Sequence, residues 1–207
     1  MVRRGSYAKG SARREQILSM TLRVIADKGY AAATLRGIGR ELGIEPAHIL
    51  YYFGTREDLL IEVIRRWDLE NLGQSPLEAD ALAAFSAATR RNAGIRGIVQ
   101  MYLAFATEAS EAGHPAHDFI HARYARIVHA LAGAIESGQR AGLIRRQLAP
   151  AHAARNLIAV SDGLQLQALV DATIDAPQAL DAAIDAIFIG GTRLPIDAPM
   201  DRSAWAL

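Results

Sequence analysis

Apolar residues in this chain recur at three- and four-residue spacing almost from end to end, and hardly any stretch alternates apolar with polar. That period is the period of an α-helix, so the chain is expected to be all-α. Glycines cut the first 54 residues into short pieces. A helix opening near Ser11 carries Ile17, Leu18, Leu22 and Ile25 on one face and ends at Gly29, a residue free to take the left-handed conformation that closes a helix. Thr34 is placed to cap a second helix through Leu42, and Gly43 breaks it. Pro46 stands at the first position of a third helix that runs to Phe53. After Gly54-Thr55 a longer helix starts near Arg56, with Leu59, Leu60, Val63, Ile64 and Trp67 facing inward. Beyond the turn Asn71-Leu72-Gly73-Gln74-Ser75-Pro76, the spacing predicts helices over about 77–92, 95–112, 116–141, 150–172 and 177–190. The last residues hold Pro195 and Pro199 and are expected to fray.

The formal net charge of +1 hides an asymmetry. Residues 1–66 carry 12 Lys/Arg against 7 Asp/Glu, and residues 67–207 carry 11 against 15. A basic end on an acidic body suits a protein whose one end meets a polyanion. Cysteine is absent, which excludes a disulfide framework, a thiolate metal site and a cysteine nucleophile. The basic start leads into Arg13-Arg14-Glu15 instead of an apolar run, so no secretory leader is expected. No apolar stretch approaches the roughly 18 residues of a membrane span. A cytoplasmic protein without membrane attachment is the expectation. No nucleophile elbow, phosphate-binding loop, dinucleotide fingerprint or zinc-protease motif occurs, and Ser86 and Ser110 lack a base at matched spacing, so neither an enzyme nor a cofactor is expected.

The segment from Thr34 to Phe53 has the build of a helix-turn-helix: two short helices joined by a tight glycine-containing turn. Gly39 and Ala47 suit the close crossing, and Ile38, Leu42, Ile44, Ile49 and Phe53 suit the shared core. The second of the pair would then turn Pro46, Ala47, His48, Tyr51 and Tyr52 toward a major groove. Tyrosine hydroxyls and helix N-termini suit phosphate, which sets register without reading sequence; His48 and the face around Ala47 suit base edges. Thr34, Arg36, Thr55 and Arg56 would flank the groove, where helix starts favour an anion. Arg3, Arg4, Lys9, Arg13 and Arg14 would add attraction that weakens with salt.

The run through Arg14-Glu15-Gln16-Ile17-Leu18, Gly29-Tyr30, Thr34, Ile38, Gly43-Ile44, Tyr51-Tyr52-Phe53 and Gly54-Thr55-Arg56-Glu57-Asp58-Leu59-Leu60 resembles the N-terminal domain of TetR-family regulators over roughly residues 11–64. It departs from the family's habit at Leu50 (often Tyr), Tyr52 (often His), Glu45 (often Ser), Arg56 (often Lys) and Gly39 (usually Ala, a change costing a helix about 1 kcal/mol). The resemblance implies an Ω-shaped homodimer on a pseudo-palindromic DNA operator, most often a repressor, released when a small-molecule effector enters the C-terminal domain. It also implies a dimer interface of four helices, two from each copy, for which residues 150–190 are the candidates, with Leu157, Val160, Leu164, Ala168, Ala183, Ile184 and Ile187 as contacts. Helices apolar over so much of their surface are buried on two sides. The implied organisation is a flexible basic arm over 1–10, a helix-turn-helix DNA-binding domain over 11–56, and a helical effector-binding and dimerisation domain over 57–190. Its connecting helix covers 57–71, and a tail covers 191–207.

Trp67, Phe85, Met101, Tyr102, Phe105, Phe119 and Tyr124 are candidates for an effector pocket, or else members of a plain helical core. Asp162, Gln165 and Gln167 interrupt an apolar helix and would anchor a ligand or pair across the dimer; His121 and Gln165 join the pocket candidates. His114, His117 and His121, with Asp118, have spacing that can hold a metal, although a zinc site wants three or four convergent ligands; a polar wall is the simpler reading. Two rivals remain at this stage: a helical DNA-binding or interaction protein without an effector, and a metal-binding sensor built on those histidines.

Overall fold

A computed structural model describes the backbone of residues 3–75 and 80–202, with side chains from residue 10 onward. Among the described residues the regular structure is helical: α1 (Arg3–Lys28), a single 3₁₀ turn (Tyr30–Ala32), α2 (Leu35–Leu42), α3 (Pro46–Phe53), α4 (Arg56–Gln74), α5 (Ala81–Ala93), α6 (Arg96–Glu108), α7 (His117–Arg140), α8 (Pro150–Val170) and α9 (Ala176–Asp185). The chain packs as two units, one built from residues 1–67 and 96–117, the other from 68–95 and 118–207. α4 is thus continuous across a boundary at Trp67 and Asp68.

In the first unit, Ile17, Ile25, Ile38, Ile49, Leu59, Leu60 and Ile64 are fully buried together with Ile98, Met101 and Phe105 of α6. The expected boundary at residue 57 is therefore corrected. α6 belongs with the N-terminal helices because its apolar face packs on α1. The approach is close at one point. A Cβ on Gly97 would lie 1.7 Å from the Ile25 carbonyl oxygen, so only glycine fits. A second correction concerns the arm: the backbone is already helical at Arg3, where a flexible segment to residue 10 was expected. The side chains of Arg3, Arg4 and Lys9 lie outside the described residues.

In the second unit, Leu82 of α5, Leu131 and Ile135 of α7, Ala154 and Leu157 of α8, and Leu180 and Ile184 of α9 share one core. α9 stops five residues short of the expected 190. Past its end the chain pairs with the loop after α7: Ile189 N–H donates to the Leu143 carbonyl at 2.9 Å, and Ile144 and Phe188 side chains are both buried. The tail does not fray over its described part. Ile196 is buried in the core and Arg202 bonds the end of α4, while residues 203–207 lie outside the described residues.

Candidate nucleic-acid interface and ligand cavity

Thr34 adopts an extended backbone, and its hydroxyl accepts the Gly37 N–H at 2.9 Å, so α2 begins where a cap was expected. Gly43 ends it at φ +64, a left-handed conformation that costs glycine no steric strain. Gly39 is also needed at the turn. A Cβ there would lie 2.6 Å from the Ile44 carbonyl oxygen, which accounts for the glycine where the family usually has alanine. α3 starts at Pro46, half-buried, and the Glu45 side chain makes no capping hydrogen bond. Ile49 and Phe53 point into the core; Ala47, His48 and Tyr51 occupy the opposite, exposed face. Ala47 is therefore on the surface instead of at the crossing. Tyr51 is 81% exposed. The His48 and Tyr52 rings lie parallel with centroids 6.0 Å apart, and Tyr51 meets Tyr52 edge-on at 5.2 Å. The three rings form a row along the exposed side, with Leu50 beside it, partly exposed, an apolar contributor that periodicity gave no reason to single out.

The flanking residues divide. Arg36 is exposed on α2. Thr55 closes a reciprocal cap with Asp58: its hydroxyl accepts the Asp58 N–H at 3.0 Å and donates to Oδ2 at 2.7 Å, while its own N–H donates to the same oxygen at 3.2 Å. Its hydroxyl is already used in holding α4. Arg56 is turned inward, contrary to expectation. Its Nε donates to the Ala33 carbonyl at 3.1 Å, its guanidinium lies 5.2 Å over the Tyr30 ring, and Glu108 of α6 is 3.8 Å away. Tyr30 donates to both Glu108 oxygens at 3.0 and 2.9 Å; burial, reinforced by Glu108 and opposed by Arg56, pushes its hydroxyl up to about 12. Arg14 is likewise engaged, 2.9 Å from Glu62 and 4.8 Å over Phe53, and Arg13 bonds Gln16.

The second unit holds a small cavity of about 90 Å³. Asp68, Asn71, Leu72 and Ser75 line it from the end of α4, Ala81, Ala84 and Phe85 from α5, Arg123, Ile127, Ala130 and Leu131 from α7, and Met200 from the tail. Its polar pole is an Asp68–Arg123 pair joined by two hydrogen bonds, Nε to Oδ2 at 2.7 Å and a terminal nitrogen to Oδ1 at 3.0 Å. Asn71, also buried, accepts from Arg91 at 2.8 Å and donates to Asn92 at 3.3 Å. Of the expected pocket residues Phe85 alone lines this cavity. Met101 and Phe105 are core of the first unit, Tyr102 and Trp67 belong to that unit too, and His121 is exposed on α7. Tyr124 donates to Asp162 of α8 at 3.0 Å, and the Gln165 amide is tied to Ser161 within its own helix at 3.0 and 3.2 Å. Phe119 is half-buried on α7 and Gln167 is exposed on α8. Asp68, Asn71, Arg123 and Met200 were not singled out beforehand; charged residues amid apolar helical turns were the available signal.

Burial pushes the Asp162 carboxyl above its ordinary range, against the opposing hydrogen bond from Tyr124 and the charge of Arg123. A carboxyl raised in the folded state gives stability that is fully present below the unfolded value and is lost as pH rises toward the folded one. Asp162→Asn keeps an acceptor for Tyr124 and loses the buried charge. Its melting temperature is expected to exceed the parent's at pH 7 and to match it near pH 4 in calorimetry. An advantage constant across that window would count against the buried charge as its source.

The histidine cluster separates. His114 Nδ1 accepts the Ala116 N–H at 3.2 Å, and His117 Nδ1 lies 3.0 Å from the Ala109 carbonyl. Among the described residues no three metal-capable side chains are gathered.

The expected dimer contacts also need revision. Leu157 and Ile184 are buried in the second unit's own core, and Leu164, Ala168, Ala183 and Ile187 are half-covered. The outward face of α8 instead carries Ala159, Val160, Gly163, Leu166 and Val170, with Leu166 55% and Val170 87% exposed. Val160 alone of the expected set lies on it.

These features define an all-helical protein, among its described residues, with a helix-turn-helix near its start. Residues 17–63 match the family described as bacterial regulatory proteins, tetR family. Over 89 residues, 43% of this chain, the sequence is 37% identical to the HTH-type transcriptional regulator BetI of Rhizobium meliloti, and the aligned stretch spans 41% of that relative's length. A Saccharomonospora viridis protein described as a transcriptional regulator, solved in complex with choline, superposes with a TM-score of 0.68 at 27% identity, covering 86% of this chain and 96% of that one. A Rhodococcus sp. protein described as a TetR-family transcriptional regulator has the same fold, with a TM-score of 0.66 at 24% identity over 85% of this chain and 98% of that one. The chain is therefore similar to TetR-family transcriptional regulators: its residues 17–63 match the family's DNA-binding domain, and it shares its helical fold with the solved neighbours. No helix among the described residues is long and apolar enough to cross a membrane.

Proposed function

We propose that the chain is a BetI-like one-component regulator: as a homodimer it binds a pseudo-palindromic operator and, acting as a repressor, leaves it when a small molecule occupies the second unit. The observation that carries this reading is the exposed ring row on α3, backed by the buried Ile49 and Phe53 that hold it outward. Among the polar candidates Tyr51 and Arg36 supply phosphate contacts and His48 reads base edges, while Arg56 and Thr55 serve the fold. Arg56, which bonds Ala33 and faces Glu108, braces the domain that carries α3. Ligand shifts the equilibrium only through a difference in its affinity for DNA-competent and DNA-incompetent conformations. The likeness to a choline-bound neighbour makes choline the first effector to try, and Phe85 in the cavity wall offers an aromatic face to a small organic cation.

Duplexes selected from a random pool provide the test, read by fluorescence anisotropy at moderate ionic strength. Tyr51→Ala is expected to weaken selected and random duplexes alike, by about tenfold, and His48→Ala to weaken chiefly the selected one, by roughly 1–3 kcal/mol. A parent protein with no preference for any duplex would sink the proposal. Dimerisation is assigned to the apolar outward face of α8, so Leu166→Glu combined with Val170→Glu is expected to shift the protein to monomer in sedimentation equilibrium. An unchanged dimer would place the interface elsewhere.

A further inference from the structure

Met200 is shared by two cavities of the second unit. It lines the inner one of about 90 Å³ and also an open outer groove of about 510 Å³, which runs beside α7 past His129 and Ser137. Ala81 and Ala130 likewise face both, so a methionine and two alanines make up the shared wall. The methionine comes from the tail, where it and Ala198 pack partly buried against the core, and the tail is also held on either side of them. Upstream, Ile196 is buried in the core; downstream, the Arg202 guanidinium donates to the Leu72 carbonyl at 2.6 Å and the Ser75 carbonyl at 2.9 Å, at the C-terminal end of α4 where a cation is favoured. Between these anchors the backbone forms no helix, and Pro199 removes a further donor.

We propose that residues 194–202 are a strap closing the ligand cavity, with Met200 as its gate and Arg202 as its latch. This rests on the reading of the second unit as an effector domain. An unbranched side chain with three rotatable bonds fills a gap softly and swings out at little cost. A segment without helix, held by a few apolar side chains and by Arg202 hydrogen bonds to two carbonyls, opens well before the core does. When it opens, the outer groove and inner cavity become one site, and a ligand enters past Ala81 and Ala130 toward Asp68, Arg123 and Ser75. That route selects a compact molecule with an apolar body and a single polar head.

The chain contains no cysteine, so an introduced thiol reports one position without background. Ala84→Cys places it in the inner cavity. Its modification by aminoethyl methanethiosulfonate, followed by mass spectrometry on the full chain, is expected to quicken by about tenfold or more when Met200→Ala or Arg202→Ala is added. Met200→Trp is expected to slow it. Ala154→Cys, buried in α8 and lining neither cavity, reports unfolding and is expected to keep its rate in every background. An unchanged rate at position 84, or an equal rise at position 154, overturns the proposal. The assay uses neither DNA nor effector, so failure to find an effector leaves its outcome intact.

Discussion

Gly97→Ala is expected to lower the stability of the first unit by about 3 kcal/mol or more, beyond the usual cost of an added methyl in a packed core. The added carbon would sit 1.7 Å from the Ile25 carbonyl oxygen and 2.7 Å from its carbon, and neither atom is the flexible end of a side chain. The carbonyl is also committed: it accepts the Gly29 N–H at 3.0 Å, the bond that ends α1 just before the chain turns at φ +83. Relief therefore requires lifting α6, whose Met101 and Phe105 are fully buried, or opening the end of α1. Gly133→Ala is the natural control. It lies within α7 with nothing inside 4 Å of a built Cβ, and there alanine is expected to stabilise by roughly 0.5–1 kcal/mol. Urea denaturation of both variants decides the matter, since equal midpoints would mean that α6 does not lie against α1 at Gly97.

Glycine punctuation made the helix-turn-helix legible. Gly29, Gly43 and Gly54 each take positive φ where a helix end was expected, and Thr34 makes the expected cap, because these are local constraints a few residues long. Partner choice was not legible. The spacing in α6 shows that one face is buried but not that α1 buries it; the lone glycine at 97, unfavourable inside a helix, was the usable sign of a close crossing. Arg56 looked like a phosphate ligand because it opens a helix beside the groove. Its partners Tyr30 and Glu108 are 26 and 52 positions away, a distance no short-range pattern spans. α8 is apolar around most of its circumference, so composition indicated two buried faces without telling which faced inward. Leu157 took the core, leaving Leu166 and Val170 outside. In the tail, the prolines indicated an absence of helix. They said nothing of whether Ile196 would find the core.

Arg123→Met is expected to cost about 3 kcal/mol at neutral pH, because it removes the guanidinium that compensates the Asp68 carboxylate in a largely buried site. The two side chains are 15% and 12% exposed, and both guanidinium–carboxylate hydrogen bonds vanish in the variant. Arg123 also favours the charged form of Asp162, whose carboxyl burial already raises; without the cation it moves further up. The deficit should therefore grow as pH rises from about 4 to 7, since a carboxyl raised in the folded state loses stability in that direction. A simple loss of packing would give a deficit independent of pH. Adding Asp68→Asn is expected to restore most of the stability, as it removes the buried charge that Arg123 compensated. If the cavity accepts an organic cation, the single variant has a second signature: choline should raise its melting temperature more than the parent's, and this difference should vanish in the double variant. Equal choline response in all three proteins would show that Asp68 does not face the bound molecule, whatever the stability measurements give.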